Sequence, residues 1–364
     1  MNPEQEAAVA AKGEVFVSAG AGIGKTSVLV ERFVRAVCDE GLDVDSVLVI
    51  TYTRKAAGEL RSRIRAALRA RGRHDLARKL DGAWISTIHG FCSRLLHTHP
   101  FAVGLDPRFH ELADDQAAVL RGEAFDRALA VFCAGRQPER LRLLATYSGH
   151  GLRRVLTSVY EKLRSSGRPL TLELGEQHGV AERLAELQFE AQSLADDAAA
   201  TEKQRAAASI ALKLGANPEQ LVDLSGLDAR GERADAFRDA RDRLQRAALE
   251  ELAARDRDLL QELLELFAAE YAAAKQRESA LDFEDLQLCA RELLLTDERV
   301  RDAEQLRFRA IMVDEFQDTN RLQCDLVDVL RAGPAEKDVF FVGDEFQSIY
   351  GFRHADVDVF RERR

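Results

Sequence analysis

Two short runs hold the residue types that handle phosphates: "AGAGIGKT" at residues 19 to 26 and "IMVDEFQD" at residues 311 to 318. In the first, Gly20, Gly22 and Gly24 let the backbone turn tightly and aim N–H groups at phosphate oxygens, at the positive end of the helix that "KTSVLVERFV" begins. Ala21 and Ile23 keep the backbone donors between those glycines, and Ala19 stands before them, where such loops commonly open on glycine. Lys25 then has the reach for the β- and γ-phosphates of a nucleotide such as ATP, and the Thr26 hydroxyl suits Mg²⁺. In the second run, apolar residues of a buried strand deliver Asp314 and Glu315 at its carboxyl end, the edge where open α/β sheets bind ligands. Asp314 is suited to hold Mg²⁺ through water, and Glu315 to orient or deprotonate an attacking water. A glycine-rich turn or a strand meeting solvent explains either run alone. The pair points to hydrolysis of a nucleoside triphosphate.

A third run, "VGDEFQSIYGFRHAD" at 342 to 356, ends a strand at Gly343 and Asp344 and places Gln347 where it can sense a γ-phosphate. Tyr350, Phe352 and Arg353 follow at once, and aromatic and guanidinium planes beside such a sensor suit stacking on nucleic-acid bases. Burial of Tyr350 and Phe352 in the core of the next turn is the competing explanation.

The elements that must position these residues are legible from periodicity. Apolar, β-rich runs at 14–19, 46–53, 83–89, 308–315 and 338–345 alternate with helical patterns, which predicts an α/β fold with a parallel, doubly wound sheet. Between them β-rich runs disappear and Ala, Leu, Arg and Glu dominate. Leu244, Ala248, Leu252, Leu259, Leu263, Leu266 and Phe267 recur at helical steps, with breaks expected at 165–169 and 214–231. The predicted organisation is an α/β domain in two parts, 1–110 and 281–364, interrupted by an all-α insertion at 111–280. In one sheet, residues 19 and 314 would then end neighbouring strands and face the same phosphate.

Composition narrows the class. With 364 residues and 46% hydrophobic side chains, the chain has enough material for more than one buried core. Five scattered cysteines without CxxC pairs argue against a disulfide framework, zinc ribbon or iron–sulfur cluster. No run reaches membrane-spanning length and the N-terminus lacks a secretory layout, so a cytoplasmic protein is expected. The formal net charge is -10, yet from Arg54 to Lys79 ten Lys/Arg stand against two acids. Arg61, Arg65 and Arg69 share a helix face there, suited equally to tracking phosphates or to facing solvent.

Taken together, "NPEQ" (2–5), the glycine loop, "TYTRKAAGELRSRI" (51–64), "ISTIHGFCSRLL" (85–96), "LDFEDL" (281–286), "VDEFQDTN" (313–320) and "GDEFQSIYGFRHAD" (343–356) resemble, in order, the N-terminal part of UvrD/Rep-type superfamily 1 DNA helicases. "GLDPRFHELADDQ" leans toward the AddA/RecB-like recombination branch. The resemblance implies a RecA-like P-loop motor using ATP and Mg²⁺, moving 3′ to 5′ on single-stranded DNA and opening duplex DNA, with a partner subunit in the helicase–nuclease members. It implies adenine recognition by Gln5, although Asn2 and Pro3 also make a helix N-terminus in which Gln5 has a capping role. It places Tyr52, Thr53, Thr87 and His89, with Tyr350, Phe352 and Arg353, against DNA, and Gln347 against the γ-phosphate. Ser27 stands where repair-type members carry an adenine-stacking arginine, Ile23 where many carry Thr or Ser, and His354 where glycine is frequent. "LDFEDL" also works as a plain cap, Asp282 with Asp285. The family's second RecA-like domain and its arginine fingers fall beyond Arg364, so this portion alone is expected to bind nucleotide weakly and hydrolyse it poorly. Two other readings are an ABC/SMC-like ATPase, whose LSGGQ signature finds only "LSGLD" at 224–228, and a non-catalytic ATP-dependent DNA-binding module.

Overall fold

Five strands, each an apolar run short enough to be covered on both faces, form one parallel sheet: β1 (Glu14–Ser18), β2 (Val47–Thr51), β3 (Trp84–Thr87), β6 (Ala310–Val313) and β7 (Asp338–Gly343). A separate two-stranded pair joins β4 (His110–Glu111) to β5 (Ala280–Leu281). The structure is a computed structural model that describes residues 1–18, 20, 24–175, 178–333 and 337–344. Ala19, Ala21, Gly22, Ile23, Gln347, Tyr350, Phe352 and Arg353 lie outside the described residues.

Across the large sheet the order is β1-β7-β6-β2-β3. The two strands from the far end of the sequence therefore sit between β1 and β2. This corrects the expectation that the strand before the glycine loop adjoins the strand before Asp314: β7 lies between them, with Val15 opposite Phe340 and Met312 opposite Phe340 on its other side. Uniformly apolar parallel strands give no sequence signal for which neighbour each takes.

Strand residues alternate between two cores. Leu48, Ile50, Ile311, Val313 and Phe341 face one core, closed by the helices Ile88–Thr98, Phe283–Thr296 and Arg321–Arg331. Val47, Val49, Met312, Phe340 and Val342 face the other, closed by α1 (Pro3–Ala10), α2 (Lys25–Cys38) and α3 (Arg54–Ala70). With both faces covered, the open edge for a ligand is the line of strand carboxyl ends.

The chain divides into two compact units. The first comprises Met1–Arg127, Thr157–Pro169 and the residues from Ala268 onward; the second comprises Ala128–Leu156 and Leu170–Phe267. The second is helical among its described residues and has its own core, including Leu187, Ala191, Leu221, Phe237 and Leu244. Parts of the helix-rich stretch 111–280 thus belong to the first unit. Buried charges account for this: Lys275 pairs with Asp282 at 2.7 Å and also with Asp285, which Arg164 contacts too. Composition marks these segments as helical but does not say which core they join. The chain turns at Gly167, whose φ of 65° is left-handed.

Candidate functional site

Gly24 ends the glycine loop in the left-handed region, φ 88° and ψ 23°, and opens α2. A side chain there would meet two penalties, the conformation itself and a Cβ only 3.0 Å from Gln5 Nε2. Among the described residues no side chain caps α2, so its first amides are open to an anion. Gln5 itself closes a capping box: its N–H donates to Asn2 Oδ1 at 2.8 Å, and its Oε1 accepts from Asn2 N–H at 2.9 Å. The capping role and the place beside the loop therefore coexist in one residue.

Lys25 crosses from α2 to the acids at the end of β6. Its Nζ stands 3.4 Å from Glu315 Oε2, and its side chain is only 10% exposed. Asp314 extends the ladder, its N–H donating to Ile50 O at 2.8 Å, while its Oδ1 accepts the Glu315 N–H at 3.1 Å. Glu315 turns away from the strand with φ 51° and ψ 47°, a left-handed backbone rare for a residue with a side chain. Such strain costs on the order of 1–3 kcal/mol and persists only where the surroundings impose it.

Burial, with the Glu315 charge adding to it and Lys25 opposing, pushes Asp314 up to about 6; the same causes push Asp318 to about 6. Asp318 Oδ1 and Thr51 Oγ1 are buried without a hydrogen-bond partner among the described residues. The oxygen donors of Thr26, Asp314 and Asp318 fit a hard cation. Mg²⁺ takes one or two carboxylates and completes its shell with phosphate and water, a demand that Asp314 and Thr26 would meet.

Two cavities meet at these acids. The smaller, about 370 Å³, runs from Thr26 past Asp314 and Gln317 to Glu59 and Arg63 of α3. The larger, about 510 Å³, runs from Asp314 to Thr87, His89, Phe283 and Gln287. Thr51, Tyr52, Thr53, Asp314, Glu315 and Asp318 line both. Tyr52 and Thr53, expected to touch DNA, thus share a wall with Asp314 and Glu315, expected to handle phosphate. Thr53 and Thr87 also cap helices, accepting from Ala56 N–H at 3.0 Å and Gly90 N–H at 3.1 Å. His89 has Gln287 Nε2 3.0 Å from its own Nε2, and its ring lies 4.7 Å from that of Phe283.

Other side chains sit where spacing alone carries little warning. Arg61 donates to Ile85 O at 2.7 Å and Arg65 pairs with the exposed Asp81, while Arg69 of the same stripe is exposed. Arg63, off that stripe, lines the smaller cavity. Asp282 and Asp285 form a reciprocal cap, at 2.8 and 3.2 Å, inside the buried charge cluster. Between them Glu284 lines the larger cavity, pushed up to about 7 by burial and then by Asp282. Beyond the polar content of "DEFQD", Gln317 and Gln287 carry no sequence signal because Asp344 and His89, which they meet, are distant in sequence, and Asp318 carries none because its burial follows from tertiary packing.

Residues 1–364 match the UvrD/REP helicase N-terminal domain. The chain belongs to this family. Among curated relatives, an ATP-dependent helicase/nuclease subunit from Ligilactobacillus salivarius is 28% identical, over 99% of this chain and 36% of that protein. Proteins of the same name from Levilactobacillus brevis and Pelotomaculum thermopropionicum are each 30% identical, over 98% and 99% of this chain and 35% of theirs. The chain spans about a third of the length of these relatives. Within the described residues no helix is long and apolar enough to cross a membrane.

Proposed function

We propose that this chain is the nucleotide-hydrolysing motor portion of a DNA helicase or translocase that uses ATP and Mg²⁺ on single-stranded DNA, opening duplex DNA in repair or recombination. The observation that carries it is the 3.4 Å approach of Lys25 to Glu315 across 290 residues, at the carboxyl edge of a parallel sheet. The amides at the start of α2 and the Lys25 ammonium bind the triphosphate. Lys25 and Glu315 neutralise each other in the nucleotide-free chain; a triphosphate competes for the ammonium and leaves the carboxylate to accept a proton from water. Thr26 and Asp314 would hold Mg²⁺, which neutralises charge on the phosphate oxygens when bound. Asp318 borders the same space.

Tyr52, Thr53, Thr87 and His89 are assigned to the DNA side, in the larger cavity that shares the acids. A stacked base returns roughly 1 to 3 kcal/mol, against about 1.4 kcal/mol for opening a duplex step. Stacking therefore suffices to hold a melted base while hydrolysis supplies direction. Movement from 3′ to 5′ and the roles of Gln347, Tyr350, Phe352 and Arg353 belong to the proposal through family likeness. So does a partner protein, since the relatives are each named as one subunit of a helicase/nuclease.

The test uses the full-length protein. Lys25→Ala is expected to abolish tight ATP binding, and Glu315→Gln to keep binding while stopping hydrolysis. Normal turnover by the Glu315→Gln protein would remove Glu315 as the base.

A further inference from the structure

We infer that Gln317 is a positioning residue for the Glu315 carboxylate, fixing it to the end of β7; this rests on the hydrolytic role proposed for Glu315. The left-handed backbone at Glu315 takes its side chain out of the strand's own pattern, so neighbours must aim the carboxylate. Two described groups do: Lys25 Nζ at 3.4 Å and Gln317 Nε2, which donates to Glu315 Oε2 at 2.7 Å. Lys25 is also the phosphate ligand. When nucleotide takes the ammonium, the Gln317 amide is the described donor that remains on the acid.

The other end of the same amide is engaged as well. Gln317 Oε1 accepts the Asp344 N–H at 2.9 Å, one residue past β7, and the Gln317 residue is 1% exposed. A donor at one end and an acceptor at the other are what an amide supplies. Leucine of similar size supplies neither, and glutamate keeps the acceptor but sets a second negative charge against Glu315. The turn that carries Gln317, Phe316–Asp318, is itself held by the Asp318 N–H to Glu315 O bond at 3.0 Å. Phe316 packs on Phe16 of β1 and Phe341 of β7, with ring centroids 5.9 and 4.6 Å away. A displacement of the β7 end is therefore passed to the acid through the Gln317 side chain as well as through the Phe316–Phe341 contact. In sequence β7 runs on directly to Gln347, the residue that family likeness places at the γ-phosphate.

In the full-length enzyme, ATP turnover with and without single-stranded DNA is measured for Gln317→Leu and Gln317→Glu, alongside the affinity for a fluorescent ADP. Mispositioning by about an ångström costs on the order of 10²-fold, so kcat is expected to fall roughly 10- to 100-fold in Gln317→Leu, with KM and ADP affinity within about twofold of wild type. Stimulation by DNA is expected to fall with it. In Gln317→Glu, lowering the pH is expected to raise the rate relative to wild type, because the protonated carboxyl again donates to Glu315. Wild-type kcat in both variants overturns the inference, as does loss of ADP binding in parallel with kcat, which would make Gln317 a prop for the whole site. If Gln317→Leu does not fold, the pH profile of Gln317→Glu decides alone, a flat ratio to wild type overturning the inference. Hydrolysis by Glu315→Gln at the normal rate would instead remove the base assignment beneath it.

Discussion

Asp314 and Asp318 pull against the same neighbour. Both are held up to about 6, first by burial and then by the Glu315 charge, with Lys25 the opposing cation. A raised carboxyl binds its proton more tightly in the folded chain than in the unfolded one, so ionising it as pH rises from about 4 to about 6 costs the metal-free fold stability. The cation needs the opposite form: Mg²⁺ ligands must be deprotonated. Mg²⁺-dependent nucleotide binding, measured by calorimetry across that range, is therefore expected to weaken as pH falls through about 6. Asp314→Asn should bind Mg²⁺-nucleotide weakly at every pH, with most of the acid-side loss gone. A wild-type affinity that stays constant from pH 7 to about pH 5 would place the cation away from Asp314.

At the level of elements, Gly24, Lys25, Thr26, Thr53 and Thr87 stand at helix starts, Asp314 just past a strand end and Glu315 at the turn that follows, and local chemistry fixes several of them. Gly24 is held by two constraints, so Gly24→Ala should lose about 1–2 kcal/mol from the left-handed backbone alone and more from the Gln5 approach. A larger loss is expected in nucleotide affinity than in melting temperature, because the strained turn also aims the amides. Thr53 and Thr87 have a capping duty that alanine removes at about 1 kcal/mol each. Serine at either position should restore stability, and DNA affinity measured beside it separates a contact to DNA from a cap. The caps and strands were legible in sequence because each depends on neighbours two to four residues away: Asn2 with Gln5, Asp282 with Asp285, and the apolar run before Asp314. The Gln317 bridge was not legible. It joins a turn to a backbone amide 27 residues away, and nothing in spacing reveals such a partner. Arg61 and Arg65 teach the same lesson, since helical spacing shows that they share a face but not that the face meets Ile85 and Asp81.

For the first unit as a whole, the strand order decides what can fold without what. The segment 1–110 supplies the glycine loop, but in the sheet β1 pairs with β7, and β2 reaches β1 only through β6 and β7. Without the last two strands β1 loses its ladder, and the faces of Phe340, Met312 and Val342 vanish from the core that α2 and α3 close. The second unit has a separate core, in which Leu187, Ala191 and Leu244 are fully buried. A chain ending at Arg309 is therefore expected to keep helical far-ultraviolet signal from the second unit but to show no cooperative melting of the sheet and no nucleotide-dependent stabilisation. Adding back the missing strands as a separate peptide should restore that stabilisation only when Asp314 is intact. Cooperative melting with nucleotide protection in the shortened chain would mean that β1 finds another partner, and the approach of Lys25 to Glu315 would lose the sheet that creates it.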